Sequence, residues 1–185
     1  MKDFEYAAPT ALTDAVGLLE KHGRRAKLLA GGTDIIVQLR EGLREADVVV
    51  DVKKIPELTE LSYSSDEGLQ FGAATPCYKL YEHPEVAKAY QGLCDAAHII
   101  GGWQIQSRAS VGGNLCNSSP AADTIPPLIA YDAVAQIAGP GGTRDVPVAE
   151  FCTGVGKNVL QGGEMLVSLT LPPQPAKSGC AYQRF

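Results

Sequence analysis

No stretch of this sequence approaches the roughly 18 uncharged apolar residues that a membrane span needs. Even Ile125 to Ala138 is interrupted by two prolines and by Asp132, so no membrane span is expected. The N-terminus, Met1-Lys2-Asp3-Phe4-Glu5-Tyr6, carries acids where a secretory signal needs a basic region, and Pro9, Thr10 and Asp14 interrupt the next stretch. Cysteine is sparse and scattered: Cys77, Cys94, Cys116, Cys152 and Cys180 form no Cys-x-x-Cys pair, and His22, His83 and His98 are equally dispersed. No protein-held metal is therefore expected, and a reducing, cytoplasmic compartment fits. Basic residues number 16 against 21 acidic ones, for a net charge of −5, and they come singly or in pairs such as Arg24-Arg25 and Lys53-Lys54. That distribution excludes an electrostatic footprint for nucleic acid.

What is present is the composition of a globular chain, with 45% apolar and 20% charged residues and 20 glycines among 185. Up to about residue 55 the grammar is βαβαβ. Phe4 to Tyr6 reads as a strand. Leu12, Ala15, Val16 and Leu19 fall at helical spacing until Gly23, and Lys27 to Ala30 reads as a buried strand. Gly31-Gly32 turns the chain, Thr33 or Asp34 caps a second helix carrying Ile35, Ile36 and Leu39, and Asp47 to Val52 returns as a β-branched strand.

Beyond residue 55 hairpin signals take over. Leu58 to Tyr63 and Leu69 to Ala73 flank a Ser65-Asp66-Glu67-Gly68 turn, and Ala133 to Ala138 and Thr143 to Val148 flank Gly139-Pro140-Gly141-Gly142. Pro84 suits a first helical position, and a further helix runs from about Leu93 to Ile100. Glu164 to Leu171 and Gly179 to Phe185 read as strands. Trp103 reads as a packing residue and Cys116 as a small buried filler. The expectation is an α+β fold of two lobes, residues 1–55 and 56–185.

Two segments carry ligand-binding character. In Leu28-Leu29-Ala30-Gly31-Gly32-Thr33-Asp34-Ile35 a strand breaks at two glycines and opens into a helix. Two missing Cβ atoms allow close backbone approach, and free N–H groups at a helix start suit a phosphate. An ordinary tight turn with Asp34 as the cap is the plain alternative. The nucleotide triphosphate loop is absent because no Gly-Lys-Ser/Thr occurs. The Gly-x-Gly-x-x-Gly fingerprint fails because Thr33 and Ile36 stand where glycines belong, although Asp51 mimics its ribose-binding acid.

The second segment runs from Ser110-Val111-Gly112-Gly113-Asn114 to Asp123-Thr124. Its small residues, interleaved with hydroxyls and amides, can hug an extended polar ligand and offer many donors without net charge. The plain alternative is a Gly/Ser/Asn-rich surface loop.

With Gln104-Ile105-Gln106-Ser107-Arg108 leading into the second segment and Gly163-Glu164-Met165-Leu166 before the last strands, the chain from Phe4 to Phe185 resembles a known family. It is the FAD-binding subunit or domain of molybdenum hydroxylases, relatives of xanthine dehydrogenase, carbon monoxide dehydrogenase and hydroxybenzoyl-CoA reductase, with the flavin fold of p-cresol methylhydroxylase. The resemblance implies that Leu28 to Ile35 wraps the FAD pyrophosphate and that Ser110, Gly112, Gly113 and Asn114 line its phosphate and ribityl region. It further implies a ribose contact at Asp123, an adenine contact at Leu166 and a basic contact at Arg184, with Gln183 as competitor. Ile100 stands where the family often has an aromatic residue near the isoalloxazine. The implied role is electron relay, between the iron-sulfur clusters of a [2Fe-2S] small subunit and NAD or another acceptor. A molybdopterin-binding large subunit would act on substrate. Members of the family continue into a further C-terminal domain beyond Arg184-Phe185. A free-standing flavin reductase of this fold and a cofactor-free scaffold are the rival readings.

Overall fold

The computed structural model describes residues 2–184. The first unit is β1 (Glu5–Ala7), α1 (Leu12–His22), β2 (Ala26–Leu29), α2 (Ile35–Arg40) and β3 (Val48–Asp51). Its strands form a parallel sheet in the order β1-β3-β2. The central strand explains the layering. Val48 and Val50 face α1 and pack with Ala15 and Leu19, while Val49 faces α2 and packs near Leu39. This is the period-2 alternation of a strand covered on both faces. α1 stops at Gly23, whose φ of +53° favours a residue without Cβ. β2 departs from expectation: as an edge strand beside a cleft it is only half-buried beyond Ala26.

The second unit begins with the hairpin β4 (Leu61–Ser64) and β5 (Gly68–Gly72), and a run of short helices comes next. These are α3 (Cys77–Tyr81), α4 (Pro84–Ala89), α5 (Gln91–His98), α6 (Trp103–Gln106), α7 (Val111–Asn117) and α8 (Ile125–Ala130). Pro84 stands in the first turn of α4, where its missing N–H costs nothing. The chain then forms β6 (Val134–Gly139), β7 (Gly142–Pro147), α9 (Val148–Phe151), the small β8 (Cys152–Gly154) and β9 (Lys157–Asn158) ribbon, and β10 (Met165–Leu171). The five-stranded antiparallel sheet has the order β4-β5-β10-β6-β7, so β10, the last strand among the described residues, is central.

A register shift between Leu166 and Ser168 changes the parity of β10. Leu166, Leu169 and Leu171 consequently share one core with Phe71, Leu93 and Leu128, whereas Met165 and Val167 join Val48, Val50 and Ile55. That second cluster draws on both sheets. At about 1.5–3 kcal/mol for each large apolar side chain fully buried, it fixes the cleft between the units.

The structure departs from two sequence expectations and adds a helix where none was assigned. The stretch from Gly179 has no strand among the described residues, and Phe185 lies outside them. β10, the preceding strand, is paired on both edges by β5 and β6, and this stretch packs as coil, with Cys180 against Gly92. Trp103 is 56% exposed and meets Tyr78 edge-on rather than filling the core. Val111 to Asn117 is helical, because Ser110 caps it by accepting from the Gly113 N–H at 3.1 Å.

Candidate functional site

A cavity of about 480 Å³ lies between the parallel unit and α7, walled on its remaining side by the loop before β10. The glycine loop after β2 forms one wall. Gly31 is buried so closely against the chain before α7 that a Cβ there would sit 2.0 Å from the Arg108 carbonyl oxygen. Gly32 has φ +77°, a left-handed conformation that favours glycine. Among the described residues, no protein acceptor meets the backbone N–H groups of Gly31, Gly32, Thr33 and Asp34. A run of orphan donors beside a cavity is the chemistry of an oxyanion site, and it fits a diphosphate. Asp34 stands at the N-cap position of α2 without making the expected capping bond. Its carboxylate instead accepts from Asn117 Nδ2 at 3.4 Å, across the cleft.

The opposite wall is the start of α7. Gly112 packs against Ala73, where a Cβ would meet the Ala73 carbonyl oxygen at 2.5 Å, so the helix is drawn onto the end of β5. Gly113 is free of such backbone pressure: among the described residues, only Ser110 Oγ lies near its missing Cβ, at 3.0 Å. Asn114 lines the cavity but spends its side-chain oxygen on Thr124, accepting from the hydroxyl at 2.6 Å and the N–H at 3.3 Å.

Of the residues expected to hold the ligand, Leu28, Ala30, Gly31, Gly32, Thr33, Asp34, Ile35, Ile100, Ser110, Gly112, Gly113, Asn114 and Leu166 all line this cavity. Three do not. Leu29 points the other way along β2, into the cluster around Leu39 and Val49. Asp123 accepts from the Tyr182 hydroxyl at 2.8 Å and has Arg184 Nε at 3.7 Å, so Asp123 and Arg184 come together outside the cavity lining.

The sequence reading also missed residues that shape the site. Arg108 Nε donates to the Gly31 carbonyl at 3.0 Å, and Lys53 Nζ donates to the Ala30 carbonyl at 3.1 Å and to Asp51 at 2.6 Å. Two adjacent carbonyls of the glycine loop are thereby engaged, while the N–H groups of this cavity-lining loop keep no protein acceptor among the described residues. Asp51 also accepts from Tyr6 at 2.6 Å, so it is committed to this network and is no ribose-binding acid. Burial pushes its carboxyl up, but hydrogen bonds from Lys53 and Tyr6 outweigh that and hold it below the usual carboxylate range. Apart from the local Lys53–Asp51 pair, contacts distant in sequence disclose these roles.

On the far side, Arg144 grips Glu164 through two hydrogen bonds, at 2.8 and 2.7 Å, and donates to the Val159 carbonyl at 3.0 Å. This clamp orders Leu160 to Gly163, which line the cavity. Cys116 also lines it, yet burial, with Cys152 nearby, pushes its thiol up to about 12. It is a protonated filler at neutral pH rather than a nucleophile.

Residues 2–174 match the family described as the FAD binding domain in molybdopterin dehydrogenase. The xanthine dehydrogenase FAD-binding subunit of Escherichia coli O157:H7 is 40% identical over 187 residues, covering 100% of this chain and 64% of that one. The carbon monoxide dehydrogenase medium chain of Hydrogenophaga pseudoflava is 32% identical over 183 residues, covering 98% and 63%. A solved structure of carbon monoxide dehydrogenase from Hydrogenophaga pseudoflava, lacking the Mo-pyranopterin moiety of its cofactor, superposes with a TM-score of 0.94 at 31% identity. That match covers 100% of this chain and 64% of the other. The chain thus spans slightly less than two thirds of the relatives it matches. It belongs to the family of FAD-binding domains of molybdopterin dehydrogenases, α+β in fold and with FAD as its cofactor.

Proposed function

We propose that this chain is the cofactor-holding part of an electron-transfer subunit. In this reading it relays electrons between [2Fe-2S] clusters on a small partner subunit and NAD or another acceptor. A molybdopterin-binding large subunit acts on substrate, and the assembly works in the cytoplasm. The observation that carries the reading is the run of orphan N–H groups at Gly31 to Asp34, in residues that line one cavity together with the start of α7. Bound there, FAD supplies reversible electron transfer at its isoalloxazine.

The chain's own residues bind and orient. Gly31, Gly32 and Thr33 offer backbone donors to the diphosphate, while Gly112, Gly113 and Asn114 line the ribityl side. Ile100 borders the ring end as an aliphatic surface, without aromatic stacking. Leu166, Leu160 and the Gly162-Gly163 loop border the adenine end. The cavity-lining carboxylates, Asp34 and Glu164, are each engaged by a neighbouring side chain. The free cysteines are consistent with a reducing compartment.

The test is to combine the FAD-loaded protein with molybdenum and iron-sulfur partner subunits and follow the flavin absorbance after adding purine, aldehyde or carbon monoxide. Bleaching that requires both partners supports relay. Bleaching by one of these substrates with this chain alone would make it a dehydrogenase in its own right and overturn the reading.

A further inference from the structure

Resting on the FAD reading, we propose that Arg24, Lys27 and Arg44 form a cationic capture rim that draws a diphosphate-bearing nucleotide into the cleft and sets its preference over an uncharged flavin. All three side chains belong to residues lining the cavity, at the end made by the close of α1, β2 and the loop after α2. The chain has a net charge of −5, so three cations gathered at one opening are not a product of composition. Lys27 donates to the Arg24 carbonyl, which holds its ammonium group beside that residue. Among the described residues none of the three makes a salt bridge.

The neighbouring Arg25 supplies the contrast. It is tied to Glu45 and Asp47 and does not line the cavity. Burial first, and then the guanidinium groups of Arg44, Arg25 and Arg24, push the Lys27 ammonium below the ordinary lysine range. Such a cluster repels itself until an anion arrives.

Distance decides what kind of interaction this is. Lys27 precedes Gly31 by four residues of extended chain, about 13 Å along the strand. The rim therefore acts mainly as a field over the orphan N–H groups, within about a Debye length at low ionic strength. Fields of that reach raise association rates and make affinity salt-dependent. The two phosphates of FAD feel it, and riboflavin does not.

The experiment measures binding of FAD, ADP and riboflavin to the purified protein by fluorescence and stopped flow, at low and high salt. The parent is compared with an Arg24→Gln, Lys27→Met, Arg44→Gln triple variant and with Lys27→Arg, all checked for parental melting. At low salt the triple variant should bind FAD and ADP about 10- to 30-fold more weakly, mostly through slower association, with riboflavin unchanged within about twofold. Lys27→Arg should behave like the parent. Equal FAD affinity and equal salt dependence in parent and triple variant would overturn the rim. A parent that binds ADP in a rim-dependent way but not FAD would keep the rim and overturn the FAD reading, and one that binds neither would overturn both.

Discussion

Arg108 Nε donates to the carbonyl oxygen of Gly31 at 3.0 Å, and the missing Cβ of Gly31 lies against the Arg108 backbone. These residues come from different units of the chain, and their contact sets the width of the cleft. Gly31→Ala should therefore separate the walls, because the obstacle is backbone and cannot swing aside. The expected cost is about 1–3 kcal/mol, the usual penalty for overpacking, together with loss of FAD binding. A thermal melt and a flavin titration check both.

Gly113→Ala should behave differently. Its Cβ would press only on Ser110 Oγ, and the residue sits in a helix where alanine is favoured by up to about 1 kcal/mol. The variant should melt within a few degrees of the parent and bind FAD several-fold more weakly, since the added methyl enters the cavity. Parental FAD affinity would reduce Gly113 to a helix residue. Gly32 is a poorer probe, because its φ of +77° and the nearby Ile36 and Leu29 side chains would strain the fold as well.

Asp51→Asn should destabilise the protein at neutral pH by about 1.5–3 kcal/mol, the range for charge-assisted hydrogen bonds. The folded-state carboxyl lies below its usual value. Its stabilisation is thus present above the unfolded pKa of about 3.9 and disappears as pH falls through the lower folded value. Urea midpoints for parent and variant should differ at pH 7 and converge in acid. A gap that stays constant with pH would remove Asp51 from the acid response.

Arg144→Met should loosen the wall before β10. Glu164 accepts from the Gln161 N–H as well as from Arg144, so the clamp spans the whole turn. Hydrogen exchange at residues 160–163 should accelerate, with FAD affinity falling several-fold. Unchanged exchange there would show that the turn holds without the clamp.

The FAD should be held noncovalently. Cys116 is the cysteine in the cavity wall, and its thiol stays protonated at neutral pH. Acid precipitation should leave the yellow colour in the supernatant, and colour retained in the pellet would reveal a covalent link.

Local signals made much of this fold legible. Gly23, Pro84, the turn at Ser65 to Gly68 and the valines of β3 each announce their element within a few residues. The two glycine segments announced the walls of the cleft for the same reason, since the missing Cβ atoms are visible in the sequence. What stayed hidden depends on long-range pairing. Asp51 looks like a ribose acid until Tyr6 and Lys53 are seen to claim it. The segment after Gly179 has strand-forming character, but β10 offers it no free edge. Arg24, Lys27 and Arg44 are ordinary surface cations in sequence and converge only when β2 and the loop after α2 meet.

Titration of the cofactor-free protein with FAD, followed by visible absorbance and fluorescence quenching, tests the central claim most directly. One FAD should bind per chain, with a resolved oxidised-flavin spectrum, in the parent and not in Gly31→Ala. No binding by the folded parent, or equal binding by the Gly31 variant, would contradict the placement of FAD in this cleft.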